Sequence, residues 1–347
     1  MLIRAALLLS LVTTAVLSTG CYVISQGTHF LSFQARARSL ERARREWPEY
    51  EELFRQAEAI RRFGEQELRL EGSRNYTTFV KLDRNYLVSV VSAAKPTSFE
   101  RKVWRFPVVG EVPYKGFYNR KKAVRLAGRL QKEGWETLLR RVDAFSSLGY
   151  FRDPLYSFMA EYHEERLANL MIHEMTHATI WIKDDAPLNE AIATFIGNRG
   201  ALAYLAQRYG EESDLHREGV LRQEESRRFV AFMRALALRL EELYRRELSE
   251  EDTLRRKDKI IRAEMRRFEA EYQERFESDR YRFILDAEIN NAYLDLFRTY
   301  NEDVDSIRVL YELTGECLPE LLSRLGEVAA AAEPRRRLRE LIAAGRE

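Results

Sequence analysis

The sequence predicts an α+β chain that is predominantly helical. A small sheet precedes a two-helix active site, and a long charged helical hairpin follows it. Three observations carry this. Apolar residues recur at three- and four-residue spacing over much of the chain, the helical period. The β-prone stretches fall between residues 85 and 146. The pentapeptide His173-Glu174-Met175-Thr176-His177 sits inside a helical pattern, and a second helical pattern follows it closely.

Composition bounds the function. Lys and Arg total 57 against 55 Asp and Glu, a net charge of +2. That balance argues against a nucleic-acid partner, whose binding domains are strongly basic. The 45% hydrophobic and 11% aromatic content fits a folded chain. Two Cys in 347 residues exclude a disulfide framework and a four-thiolate zinc site, so a metal centre must use His and carboxylates.

In chain order, residues 1–20 come first. Arg4 precedes an apolar run from Ala5 to Leu17, the layout of a secretory signal and short for a spanning helix. Ser18-Thr19-Gly20-Cys21 resembles a bacterial lipoprotein cleavage site. The resemblance implies lipid on Cys21 and a membrane tether in the cell envelope. Tyr22 after the Cys implies the periplasmic face of the outer membrane in a Gram-negative host. Cys317 is then alone and is expected to be a small buried apolar residue.

One domain is expected over 21–333, with a helical part to 84, a catalytic core over 85–210 and a helical part over 211–333. A tail, 334–347, is expected to be a loosely attached helix or a frayed end. Within 31–70, Trp47, Tyr50, Leu53, Phe54, Ala57 and Ile60 mark one buried helical face. Residues 85–94, 100–112 and 136–146 read as strands, the second carrying Pro107 at an edge or bulge. Residues 120–133 read as a short basic amphipathic helix ended by Gly134. Asp153-Pro154 reads as a helix start, with helix to about Lys183. A loop at 184–187 opens a second helix that stops at Gly210. Over 218–285 two apolar stripes, one from Phe229 to Tyr244 and one from Ile261 to Phe276, predict a helical hairpin with solvated, ion-paired outer faces.

The chemistry is expected at the pentapeptide. Four-residue spacing puts the His173 and His177 imidazoles on one helix face, about one turn apart, where both can reach one Zn²⁺. Glu174 is offset by one residue, so it flanks the metal and can take a proton from a water the metal activates. A catalytic zinc site needs a third protein ligand and an open position. Glu190, in the segment NEAIATFIG, follows His177 after twelve intervening residues.

This pair of segments resembles the Glu-zincins, the thermolysin-like zinc peptidases, in which an Asn-Glu on a neighbouring helix supplies the third ligand. The resemblance implies Glu190 as ligand with Asn189 beside it. The spacer here is shorter. Thr194 stands where that family places a ligand-orienting Asp, and could accept a hydrogen bond from His173. A broader likeness covers most of residues 21–325. FPVVGEVPYKGFY, VDAFSSLGYFRDPL, LANLMIHEMTHATIWI and INNAYL resemble blocks of a predicted aminopeptidase family of bacterial proteins. Glu111 departs from its common Cys. The resemblance implies peptide hydrolysis, though no G-x-M-E-N segment of the well-known zinc aminopeptidases is present.

Other roles follow as expectations. Ala144, Phe145 and Ser146 would form a sheet edge that pairs with a peptide or protein substrate. An oxyanion donor is sought among Tyr150, Tyr114, His163 and Tyr293. His163 lies about 15 Å of helix rise from His173, too far to share a metal, and is expected at the surface. Asn290 and Asn291 are expected in a helix interior as donors near the site. The competing readings are a non-catalytic envelope lipoprotein with a structural zinc site, and a scaffold whose hairpin binds a partner.

Overall fold

A computed structural model describes residues 35–72, 75–106, 110–142, 153–298 and 302–345. Cys21 and the leader, residues 143–152 with Tyr150 and the expected substrate edge, and His29 lie outside them.

The N-terminal part pairs β1 (Arg38–Ser39) with α1 (Leu40–Glu46), then passes through a 3-10 turn at Pro48–Tyr50 into α2 (Glu51–Gln66). The expected face is the buried one: Leu53, Phe54, Ala57 and Ile60 are all within 2% of full burial. Then come β2 (Thr78–Val80), β3 (Val88–Ala94), β4 (Trp104–Phe106), β5 (Gly110–Val112), β6 (Tyr114–Phe117), α3 (Arg120–Lys132), β7 (Glu136–Val142) and β8 (Leu155–Tyr156). The single expected sheet is in fact two three-stranded sheets, β1-β2-β8 and β6-β3-β7, with a separate β4-β5 hairpin. Residues 100–112 are thus not one strand. Phe106 pairs back with Gly110, whose positive φ suits a reversal. β3 is central and antiparallel to both neighbours, and buries both faces: Val88 and Val90 on the main core, Val91 and Ala93 under α3.

After a 3-10 turn at Ser157–Glu161 come α4 (Glu164–Thr179) and α5 (Ala186–Tyr209). The expected helix start at Asp153-Pro154 is corrected, because the chain runs extended there and Leu155 joins β2 in a parallel pair. The helix begins eleven residues later at Glu164, capped by His163, whose ring nitrogen accepts from Glu165 N–H at 3.3 Å. His163 is also no surface residue. Its side chain is 16% exposed and pairs with Glu218 at 3.1 Å.

The hairpin forms as expected from α6 (Asp214–Tyr244) and α7 (Glu250–Ala270), with Ser249 capping α7 through Asp252 N–H. Both stripes bury in one core with α8 (Tyr272–Arg275), a 3-10 turn at Arg282–Asp286, and α9 (Asn291–Arg298). The outer faces carry ion pairs such as Arg228–Glu224 and Arg262–Asp258. Finally α10 (Glu302–Leu313), α11 (Leu318–Ala330) and α12 (Pro334–Ala344) return to the main core.

Two expectations fail here. Cys317 is exposed, at the N-terminus of α11 after a left-handed Gly315-Glu316 turn, so it is not a buried apolar residue. The tail is α12, docked through Leu338 and through Arg335, which bridges Asp185 and Asp303. No helix among the described residues is long and apolar enough to cross a membrane.

Candidate metal centre

α4 buries Leu167, Ala168, Met171, Ile172 and Met175, so the opposite face turns His173 and His177 outward, one turn apart. The chain then reverses. Asp184 adopts a left-handed φ of 60°, and Asp185 caps α5 by accepting from Leu188 N–H at 3.2 Å. Asn189 holds the reversal from inside: its amide donates to Ile182 C=O at 2.7 Å and accepts from Ile182 N–H at 2.8 Å. The next residue, Glu190, therefore faces the two imidazoles.

α4 and α5 pack nearly backbone to backbone. A Cβ on Gly197 would lie 3.0 Å from the Asn169 carbonyl oxygen and 3.1 Å from His173 Cβ. One on Gly200 would lie 2.9 Å from Ile172 Cγ2. Asn169 also donates to Asn198 at 2.7 Å across this seam.

The resulting cluster is tight. The two Nε2 atoms are 3.1 Å apart, and the Glu190 carboxylate stands 3.6 Å from that of His173 and 3.4 Å from that of His177. All three donor atoms lie within 4.8 Å of one another, so the group could hold a metal ion. The rings meet edge to face at 84°. Burial first, and the neighbouring His177 second, push the His173 imidazole down to about 4, with Glu190 and a hydrogen bond to the Ala193 carbonyl opposing. Glu190 is held below its usual range, mainly by its hydrogen bond with His177. Burial drives Glu174 up to about 7; His177 counteracts this, while Asp153 and Glu190 add to it.

The backbone carbonyl of Ala193, not Thr194, is the group that orients His173, and Thr194 is exposed. A helix carbonyl one residue earlier does the orienting, so no side chain at 194 is required. Asn290 and Asn291 are also redirected. They stand at the start of α9, where Asn290 donates to Thr137 C=O and Asn291 binds Glu136 and the carbonyls of Lys95, Pro96 and Ser98. Their amides are taken up by the end of the β3–β7 ladder. Tyr114 sits 37% exposed on the outer strand β6, opposite Ser92. Tyr293 packs in the hairpin core.

Three residues near the cluster were not singled out from sequence. Tyr76 is 2% exposed, donates its backbone N–H to Asp153 C=O at 2.6 Å, and has Glu174 as its first electrostatic partner. Burial raises the Asp153 carboxyl to about 6. Trp181 is 48% exposed, with its ring 6.2 Å from that of His177. It lies four residues past His177, so the spacing that links the two His also reaches it.

No curated protein and no solved structure matches this sequence. The family described as "Putative aminopeptidase" matches residues 25–341, which takes in every element from β1 to α11, most of α12 and the whole His–His–Glu cluster, and the chain belongs to that family.

Proposed function

We propose that the protein is a zinc-dependent peptidase of aminopeptidase type, tethered to a bacterial envelope membrane through lipid on Cys21. The observation that carries the reading is the His173–His177–Glu190 cluster with Glu174 beside it. Two imidazoles and one carboxylate are the donor set of catalytic zinc sites in peptidases. Donors about 2.0–2.2 Å from one tetrahedral ion lie roughly 3.3–3.6 Å apart. The separations of 3.4 and 3.6 Å fall in that range, and that of 3.1 Å lies just below it, which supports the fit. The depressed His173 supports it too, since a neutral imidazole keeps the lone pair a metal needs.

Zn²⁺ held by these three residues would polarise the scissile carbonyl and make water acidic enough to attack near neutral pH. Glu174 takes the proton from the attacking water and delivers it to the leaving amine. A carboxyl raised to about 7 is suited to both roles. Tyr76 is a buried phenol that feels the charge of Glu174, which recommends it as donor to the developing oxyanion. The substrate is a peptide or protein chain. Strand addition at Ala144, Phe145 and Ser146, outside the described residues, is the binding mode proposed for it. The scaffold reading loses its support, because both hairpin stripes are buried within the chain.

Glu174→Gln is the test. The variant keeps its zinc by metal analysis and loses peptide hydrolysis. Hydrolysis at the wild-type rate removes Glu174 as base, and wild-type hydrolysis indifferent to a chelator removes the metal.

A further inference from the structure

The basic helix α3 has no part in the chemistry above. Its thirteen residues carry six cations, Arg120, Lys121, Lys122, Arg125, Arg129 and Lys132, and no acid. Elsewhere surface arginines meet carboxylates on their own helix, as in Arg228–Glu224, Arg262–Asp258 and Arg336–Glu340. On α3 only Arg129 has such a partner among the described residues, Glu133 at 3.9 Å. In a chain of net charge +2 this is a concentrated field of one sign. It borders a groove of about 740 Å³ between α3 and β6, floored by Phe117 and Leu126 and ringed by five cations. Burial and the neighbouring Arg129 hold the Lys115 amine in that ring below its ordinary value.

We propose that the exposed face of α3 and its groove dock on an anionic phospholipid surface. The face suits headgroups: charges spread along about 18 Å of helix meet a plane of phosphates, and Val124, 49% exposed, stands among them as an apolar contact. The apolar face of α3 is buried on the sheet, so binding is by charge and reversible by salt. The chain outside the described residues fits this occupant. Cys21 is fourteen positions before residue 35, a tether reaching at most about 50 Å. A domain held that close to a bilayer meets phosphate headgroups before any other polyanion. The tether belongs to the function proposed above. The charge argument holds with or without it, and the experiment separates the two.

The full chain is floated with vesicles containing phosphatidylglycerol and with vesicles of phosphatidylcholine alone. Wild type is expected to partition more strongly onto the anionic vesicles, and salt is expected to reduce that partition to the level seen on neutral vesicles. Lys122→Glu with Arg125→Glu and Lys132→Glu is expected to lower that partition at least about tenfold, with unchanged peptide hydrolysis and unchanged binding to the neutral vesicles. Arg255→Glu with Arg262→Glu and Arg266→Glu on α7 alters net charge equally and is expected to leave it unchanged. If the α3 reversal does not fold, the same three positions as Gln give the same readout. Equal flotation of wild type and α3 variant overturns the proposal, as does an equal loss in the α7 variant. Displacement by millimolar inorganic phosphate, or retention by a polyglutamate peptide with no preference for anionic vesicles, makes the partner a free anion or an acidic peptide and also overturns it. Because every arm carries the same N-terminus, loss of the anchor or of peptidase activity cannot mimic any of these outcomes.

Discussion

Asn189 grips both backbone groups of Ile182, with two hydrogen bonds of 2.7 and 2.8 Å buried beside Glu190. Asn189→Ala would strand a buried N–H and a buried C=O, at about 2–4 kcal/mol. The reversal that aims Glu190 loosens with it. Zinc affinity is expected to fall about 10- to 100-fold, as for other groups that orient ligands. Calorimetric melting and competitive metal titration read the two effects. Full zinc affinity in the folded variant would show that Glu190 is placed by something else.

Two glycines packed against α4, Gly197 on α5 and Gly64 on α2, give a contrast. Gly197→Ala puts a methyl against the Asn169 carbonyl and His173 Cβ, neither of which can swing away. A loss of about 1–3 kcal/mol is expected, with weaker metal binding because His173 moves. Gly64→Ala meets only the Met175 side-chain tip, 2.6 Å from Cε, which can turn aside. Its cost should be smaller, offset by the better helix propensity of Ala. Chemical denaturation of both variants checks the order.

Asp153 gives a pH signature. Burial raises its folded carboxyl from 3.8 to about 6, so the fold binds this proton more tightly than the unfolded chain. Its contribution is favourable to folding at low pH, is lost as pH rises through that interval, and is constant above it. The size is at most about 3 kcal/mol. Asp153→Asn is therefore expected to be more stable than wild type at pH 7 and similar at pH 4. An equal difference at both values would contradict this.

Arg335 holds the last helix to the start of α5. It donates twice to Asp185, at 2.6 and 2.8 Å, and twice to Asp303, at 2.7 and 3.1 Å. The guanidinium is 46% exposed, so water screens it. Arg335→Gln is expected to cost about 1 kcal/mol, and less in high salt. Deletion of residues 333–347 should cost more, because Leu338 is lost from the core as well. Thermal melts at two ionic strengths test both.

Tyr76→Phe removes only the hydroxyl. If that group meets the developing oxyanion, kcat falls about 10- to 100-fold with KM little changed. Unchanged kcat would exclude it and turn attention to Tyr150.

The helices were the readable part of the sequence. The α2 face, both hairpin stripes and the stop at Gly210 follow from periodicity and caps, which are local properties. The pairing of His173 and His177 was readable for the same reason, since four-residue spacing fixes two imidazoles on one face. What failed depended on distant partners. Leu155 became a strand because β2, far earlier in the chain, lies alongside it. His173 found its acceptor in a backbone carbonyl, which no residue type announces. Tyr76 and Asp153 meet through a contact of 2.6 Å across seventy-six residues, with no spacing rule to reveal it. Cys317 and the last helix were misjudged from composition, which does not say what a surface will be covered by.

Trp181 has an optical consequence. Its indole stands 6.2 Å from the His177 ring, whereas Trp47 packs on the main core and Trp104 and Trp135 on the core under α3. A chain in which those three are replaced by Phe would emit only from the rim of the His–His–Glu cluster. Cobalt, which binds such donor sets and quenches indole fluorescence, would then report occupancy of the site directly, without a substrate and without knowing what the protein cuts.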